Sequence, residues 1–112
     1  MKKTFDNLRL CDYSPHYGNS TIGLETIVRI EVDGDTVTFY GDIYDRHEGW
    51  IKDQSVTCEL WKDMPGGPIN IFLNGTYITV KYMWWVITYC IFNDGRVYDT
   101  AGSAFEKIDE GF

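Results

Sequence analysis

The chain is poor in basic charge, proline and histidine, has no closely spaced cysteines, and lacks an apolar stretch long enough to cross a membrane. Ten Lys and Arg against seventeen Asp and Glu leave a formal net charge of −7 over 112 residues. Proteins that grip nucleic acid directly normally carry a basic stripe to neutralise phosphates, so this balance argues against direct nucleic-acid binding. An anionic membrane surface is equally unsuited. The apolar run from Tyr82 to Phe92 has 11 residues, whereas a membrane-spanning helix needs about 20. The N-terminus, MKKTFDNLRL, opens with two lysines, but Asp6, Asn7 and Arg9 interrupt the apolar segment a secretory leader requires. These absences predict a cytoplasmic protein.

Three cysteines, Cys11, Cys58 and Cys90, cannot all pair, and no two stand at CxxC spacing. Cys58 and Cys90 fall inside apolar strand patterns, where a thiol behaves as a small core residue in a reducing compartment. The sequon-like triplets at Asn19 and Asn74 carry no meaning in such a compartment. The two histidines, His16 and His47, have Asp12, Asp45 and Glu48 as sequence neighbours but none of the close Cys/His spacing of zinc sites. No metal or cofactor is expected. GxSxG, GxxxxGK[ST] and GxGxxG motifs are all missing, and no cysteine has a histidine near it in sequence. The sequence therefore offers no catalytic constellation, and the expectation is a protein that is not an enzyme.

What the chain has in quantity is aromatic residues, glycine and alternation. Aromatics make up 16% and there are 11 glycines, consistent with many strands joined by tight turns. Period-2 patterning appears around Asp33-Gly34, where a two-residue turn would pair Val32 with Asp35, Ile30 with Val37 and Val28 with Phe39. Arg29, Glu31, Tyr40, Asp42 and Tyr44 would then form the outer face. A second turn at Asn74-Gly75 would pair Leu73 with Thr76, Ile71 with Ile78 and Ile69 with Val80. The MWWVITYCIF run has no polar face, as expected of a strand covered on both sides. Adjacent in this strand, Trp84 and Trp85 point to opposite faces.

Trp50 to Trp61 reads as a further strand, in which Val56, Cys58 and Leu60 alternate with Thr57, Glu59 and Trp61. Arg96 to Thr100 returns after Asn93-Asp94-Gly95 by a two- or three-residue loop. Asp12 to Gly23 reads as a surface loop, and Ser103 to Glu106 matches a capping box before a short helical turn, with a short strand as the alternative. The expected fold is mainly β: a single domain over residues 1–112, an antiparallel meander of about seven strands forming a small barrel or a two-layer sandwich.

Two features carry functional expectations. Seven acids against two bases lie between Glu31 and Asp53, −5 of the −7 in 23 residues. Glu31, Asp33, Asp35, Asp42, Asp45 and Glu48, with Tyr40 and Tyr44, form a candidate partner-binding ribbon. Such an array can imitate a phosphate backbone and occupy a basic groove, with electrostatically steered association. In size and charge alone the chain resembles phage-encoded anti-defence (anti-CRISPR) inhibitors and toxin immunity proteins, which implies an inhibitor whose protein partner is a nuclease with a basic groove. The alternative is a small-molecule binder, nucleotide-like in its ligand, with a pocket lined by Trp61, Tyr82, Trp84, Trp85 and Tyr89. The plain reading of the same residues is solvated charge and ordinary core. An open edge at Arg96–Thr100 would let two copies pair as a homodimer.

Overall fold

The computed structural model describes residues 2–11 and 22–101. These residues form nine strands: β1 (Lys2–Phe5), β2 (Arg9–Cys11), β3 (Arg29–Asp33), β4 (Thr36–Asp45), β5 (Gly49–Leu60), β6 (Ile69–Phe72), β7 (Gly75–Tyr82), β8 (Trp85–Phe92) and β9 (Arg96–Ala101). They form one sheet in the order β1-β3-β4-β5-β7-β8-β9-β2, with β6 pairing β7 beside the end of β5. All pairings are antiparallel except β2 with β9. The mainly β, antiparallel expectation holds, with nine strands and a sheet that does not close into a barrel. The capping box at Ser103–Glu106 lies outside the described residues.

The sheet curls on itself so that its two halves pack face to face. Ile30, Val32, Val37, Phe39 and Cys58 from one half meet Ile78, Val80, Ile87, Tyr89, Ile91 and Val97 from the other, all nearly solvent-free. Phe39 and Tyr89 touch across this interior, ring centroids 4.5 Å apart. β7 and β8 are buried on both faces from Gly75 to Val80 and from Ile87 to Phe92, whereas Met83, Trp84 and Trp85 at the start of MWWVITYCIF are exposed. Tyr77, Cys90 and Phe92 form a second apolar cluster on the outer side, with Phe72 and Tyr98 packed against it. β1 and β2 are three residues apart in sequence yet sit at opposite ends of the sheet. The link Asp6–Leu8 therefore crosses the seam, with Leu8 N–H bonded to the Val28 carbonyl at 3.0 Å and Arg9 N–H to that of Gly95 at 2.9 Å.

Three turns differ from the sequence reading. At the first hairpin, Val32 faces Val37 and Ile30 faces Phe39, so the loop is Gly34-Asp35, with Gly34 at φ +60. That is the glycine-first arrangement of a type II′ turn. At the second, Ile71 faces Thr76 and Ile69 faces Ile78, so the loop is Leu73-Asn74. Gly75 serves there because a Cβ would lie 2.3 Å from the Ile91 carbonyl oxygen. Each slip is two residues, which keeps every side chain on its expected face. Third, the apolar run is broken: Tyr82 pairs with Trp85 across a Met83-Trp84 turn, so Trp84 is not in the strand at all.

Elsewhere, Ile27 is buried and Val28 is about half exposed, the reverse of the expected phase. The chain before Arg29 crosses over β4 instead of continuing β3. Thr26 lies so close to Gly41 that a Cβ there would overlap the Thr26 carbonyl. Asn93-Asp94-Gly95 is a three-residue loop with Gly95 at φ +96.

Candidate functional site

The expected acidic ribbon lies on β3, β4, β5 and their turns. β4 is ten residues long, and strands rise about 3.3 Å per residue, so Asp33 and Asp35 sit ~30 Å from Asp45 and Glu48. The acids therefore form two groups with Glu31 and Asp42 between them, not one compact array.

Most of these carboxylates are engaged within the protein. Glu31, opposite Thr38, accepts from Lys2 at 2.6 Å and from Arg29 at 2.7 Å, and its side chain is only 13% exposed. The Lys2 hydrogen bond holds the Glu31 carboxyl below its ordinary pKa and raises that of Lys2 in return. Arg29 also stacks on Tyr40, 5.1 Å from its ring centre. Asp35 accepts from Lys62 at 2.7 Å in an exposed pair. Asp45 folds back onto its own loop, accepting from the backbone N–H of His47 at 2.7 Å and of Glu48 at 3.0 Å.

Asp42 organises a bulge. Gly41 pairs with Gln54 but Ile43 pairs with Ile51, so β5 carries one extra residue at Lys52-Asp53. Asp53 takes φ +58, a conformation that short polar residues tolerate better than most. The Asp42 carboxylate bridges the irregularity, accepting from Asp53 N–H at 3.1 Å and from the Lys52 ammonium at 3.2 Å. Bulges strengthen local twist and re-aim side chains.

Beyond the bulge, β4 and β5 run as a ribbon that β7 does not reach, since β7 pairs with β5 only at Glu59 and Leu60. Tyr44 and Trp50 face each other on this ribbon, edge to face at 5.4 Å. Each is about half exposed. The Lys52 ammonium lies 5.2 Å over the Trp50 ring. Trp50 and Lys52 are the residues that the acid-centred reading left out of this site. Their signal was the Asp45–Gly49 loop, whose closing glycine at φ +79 sets Trp50 opposite Tyr44.

The aromatic residues expected to line a ligand pocket are dispersed. Trp61 borders an open surface cavity of about 410 Å³ whose other walls include Asp35, Glu59, Lys62 and Lys81. Trp84 stands three-quarters exposed in its turn, and Trp85 and Tyr82 flank it. Tyr89 is wholly buried. Among the described residues its hydroxyl has no hydrogen-bond partner. Burial pushes it well above the ordinary tyrosine range, with Asp99, Cys58 and Tyr82 adding to the effect.

No group of three or more His, Cys, Asp or Glu among the described residues could hold a metal ion. Among the described residues no helix is long and apolar enough to cross a membrane. Comparison with models of protein families, with curated proteins and with solved structures gave no match.

Proposed function

We propose that this is a non-enzymatic binding protein that inhibits a protein partner by occupying its surface, and that the β4–β5 ribbon is the contact. The observation that carries the reading is the Tyr44–Trp50 pair. Two large rings are held half exposed at the outer end of a ribbon, fixed by each other, by Lys52 and by the Asp42-braced bulge. Tyr and Trp dominate binding hot spots because they offer much rigid area at little rotamer entropy. The partner is a protein with a basic surface, such as a nuclease groove. The rings supply the affinity, and Asp45 and Glu48 beside them, with the net charge of −7, supply steering. Glu31, Asp35 and Asp42 already hold lysines of their own, so their part is to fix the ribbon's shape.

Native mass spectrometry of the chain purified from its host tests this. The wild type should carry a protein partner, Trp50→Ala should weaken the isolated complex at least ~10-fold by removing a hot-spot ring, and Glu48→Lys should slow association at low salt. A complex indifferent to both Trp50→Ala and Tyr44→Ala would overturn the ribbon. A bound mass of a few hundred daltons in place of a protein would overturn the inhibitor reading.

A further inference from the structure

An open sheet must protect its unpaired edges, and among the described residues β6 is the edge strand without the charges that the others carry. β1 presents Lys2 and Lys3 at its edge, β2 is three residues long and begins with Arg9, and the free half of β5 carries Lys52, Asp53 and the bulge. Charges, shortness and bulges are the usual means of blocking edge-to-edge pairing. β6 is as short as β1, four residues after Pro68, but it carries neither charge nor bulge. From Met64 to Val80 no residue is charged, and among the described residues β6 pairs with β7 alone. Its Ile69, Ile71 and Leu73 are 36%, 75% and 90% exposed. The Arg96–Thr100 strand, where an open edge was expected, is instead paired with β8 on one side and with β2 along Arg96–Tyr98 on the other.

The backbone parity of β6 is fixed by its turn. Phe72 and Gly75 flank a two-residue loop and so form a hydrogen-bonded pair, and the alternation then aims the N–H and C=O of Asn70 and Phe72 at β7. The Pro68 carbonyl accepting from Thr79 N–H at 2.8 Å keeps the same alternation. Ile69 and Ile71 therefore direct their backbone groups outward, and the same residues expose their side chains.

We infer that β6 is a self-association edge, at which a second copy of this chain adds its own β6 in antiparallel register about a two-fold axis through Ile71. That register sets Ile71 against its symmetry mate and Asn70 against Phe72, and brings Ile69 beside Leu73 in the other copy's turn, an apolar contact with no charge to bury. Centring on Asn70 would instead leave Leu73 facing Gly67. The exposed parts of Ile69, Ile71 and Leu73 with adjacent backbone amount to roughly 700–1,000 Å² over both copies, below the ~1,200 Å² of a stable pair. The dimer is therefore weak and forms at roughly 10 µM to 1 mM. Two molecules of net charge −7 repel outside this neutral edge, so added salt strengthens the pairing.

Sedimentation velocity of the full chain across that concentration range, at low salt and at about 0.5 M NaCl, reads the equilibrium directly. The wild type should show a reversible monomer–dimer equilibrium whose dimer share grows with concentration and with salt. Ile71→Lys should weaken it at least ~10-fold. Leu73→Lys, in the turn and nine-tenths exposed, should do the same without touching a strand. Trp50→Ala should leave it unchanged, which separates this edge from the ribbon contact. A wild type that stays monomeric throughout, lysine variants that associate as well as it does, or a dimer that salt dissolves would each overturn the inference.

Discussion

Tyr89 lies at the centre of the core with a hydroxyl that finds no hydrogen-bond partner among the described residues. A buried polar group left unsatisfied costs about 1–3 kcal/mol, so Tyr89→Phe should raise stability by roughly 1 kcal/mol while keeping the ring against Phe39. The same neighbourhood sets an alkaline limit. Burial pushes the Cys58 thiol up to about 11 from an ordinary 9.0, and Tyr89 moves in the same direction. Both groups are neutral in the fold and ionise more readily in the unfolded chain. Their contribution is complete below pH 9 and is lost as pH rises through 9 towards 11. Urea unfolding at pH 8 and at pH 10.5 should show the loss, and Tyr89→Phe should shrink the part that develops above pH 10. Equal stability at both pH values would mean that the thiol and the hydroxyl meet water in the folded state.

At the scale of elements, the β7–β8 turn is the least comfortable. Met83 takes φ +55 in a two-residue loop, a conformation that costs an unbranched L-residue about 1 kcal/mol and glycine nothing. Met83→Gly should therefore raise the thermal midpoint by a few degrees, about 4–8 °C per kcal/mol for a domain near this size. A lower midpoint would mean that the methionine side chain packs well enough to outweigh the backbone strain.

This turn also shows where the sequence stopped being readable. Met83-Trp84 contains no Gly, Asn, Asp or Pro, and turns are recognised by those residues. The other hairpins were announced, yet Gly34 and Gly75 each fit more than one placement of the loop. Gly75 sits where it does because β8 passes too close for a Cβ, a reason visible only in three dimensions. Because both slips were even, the alternation still put Ile30, Val32, Val37 and Phe39 inside. The site was less legible for a related reason. The acids of the ribbon could be counted, but their lysine partners, Lys2 for Glu31 and Lys62 for Asp35, are far away along the chain. Only the folded sheet brings them together, and with them the emphasis moves from charge to the Tyr44–Trp50 pair.

For the molecule as a whole, the N-terminal ten residues act as a clasp on an unclosed sheet. β1 caps the edge of β3, β2 caps the edge of β9, and Leu8 enters the core at the seam between them. Lys2 also bridges to Glu31 and Asp6 reaches Arg29 at 3.5 Å, but exposed ion pairs contribute little to stability. The ladder and Leu8 matter more. Leu8→Ala should cost about 2–4 kcal/mol through lost burial and a partly unfilled cavity. Deletion of residues 1–8 should do more than destabilise, because it bares the backbone edge of β3 and unpins β2 from β9. A bare edge's unpaired backbone groups template intermolecular pairing, so the shortened chain should scatter light at concentrations where the full chain stays clear. Lys2→Ala should leave both the unfolding midpoint and the scattering nearly unchanged, since Arg29 still pairs with Glu31 and no ladder is lost. If the deleted chain unfolds at the same urea concentration as the full one and stays clear, the two halves of the sheet hold together without the clasp, and the Phe39–Tyr89 interior alone defines the fold.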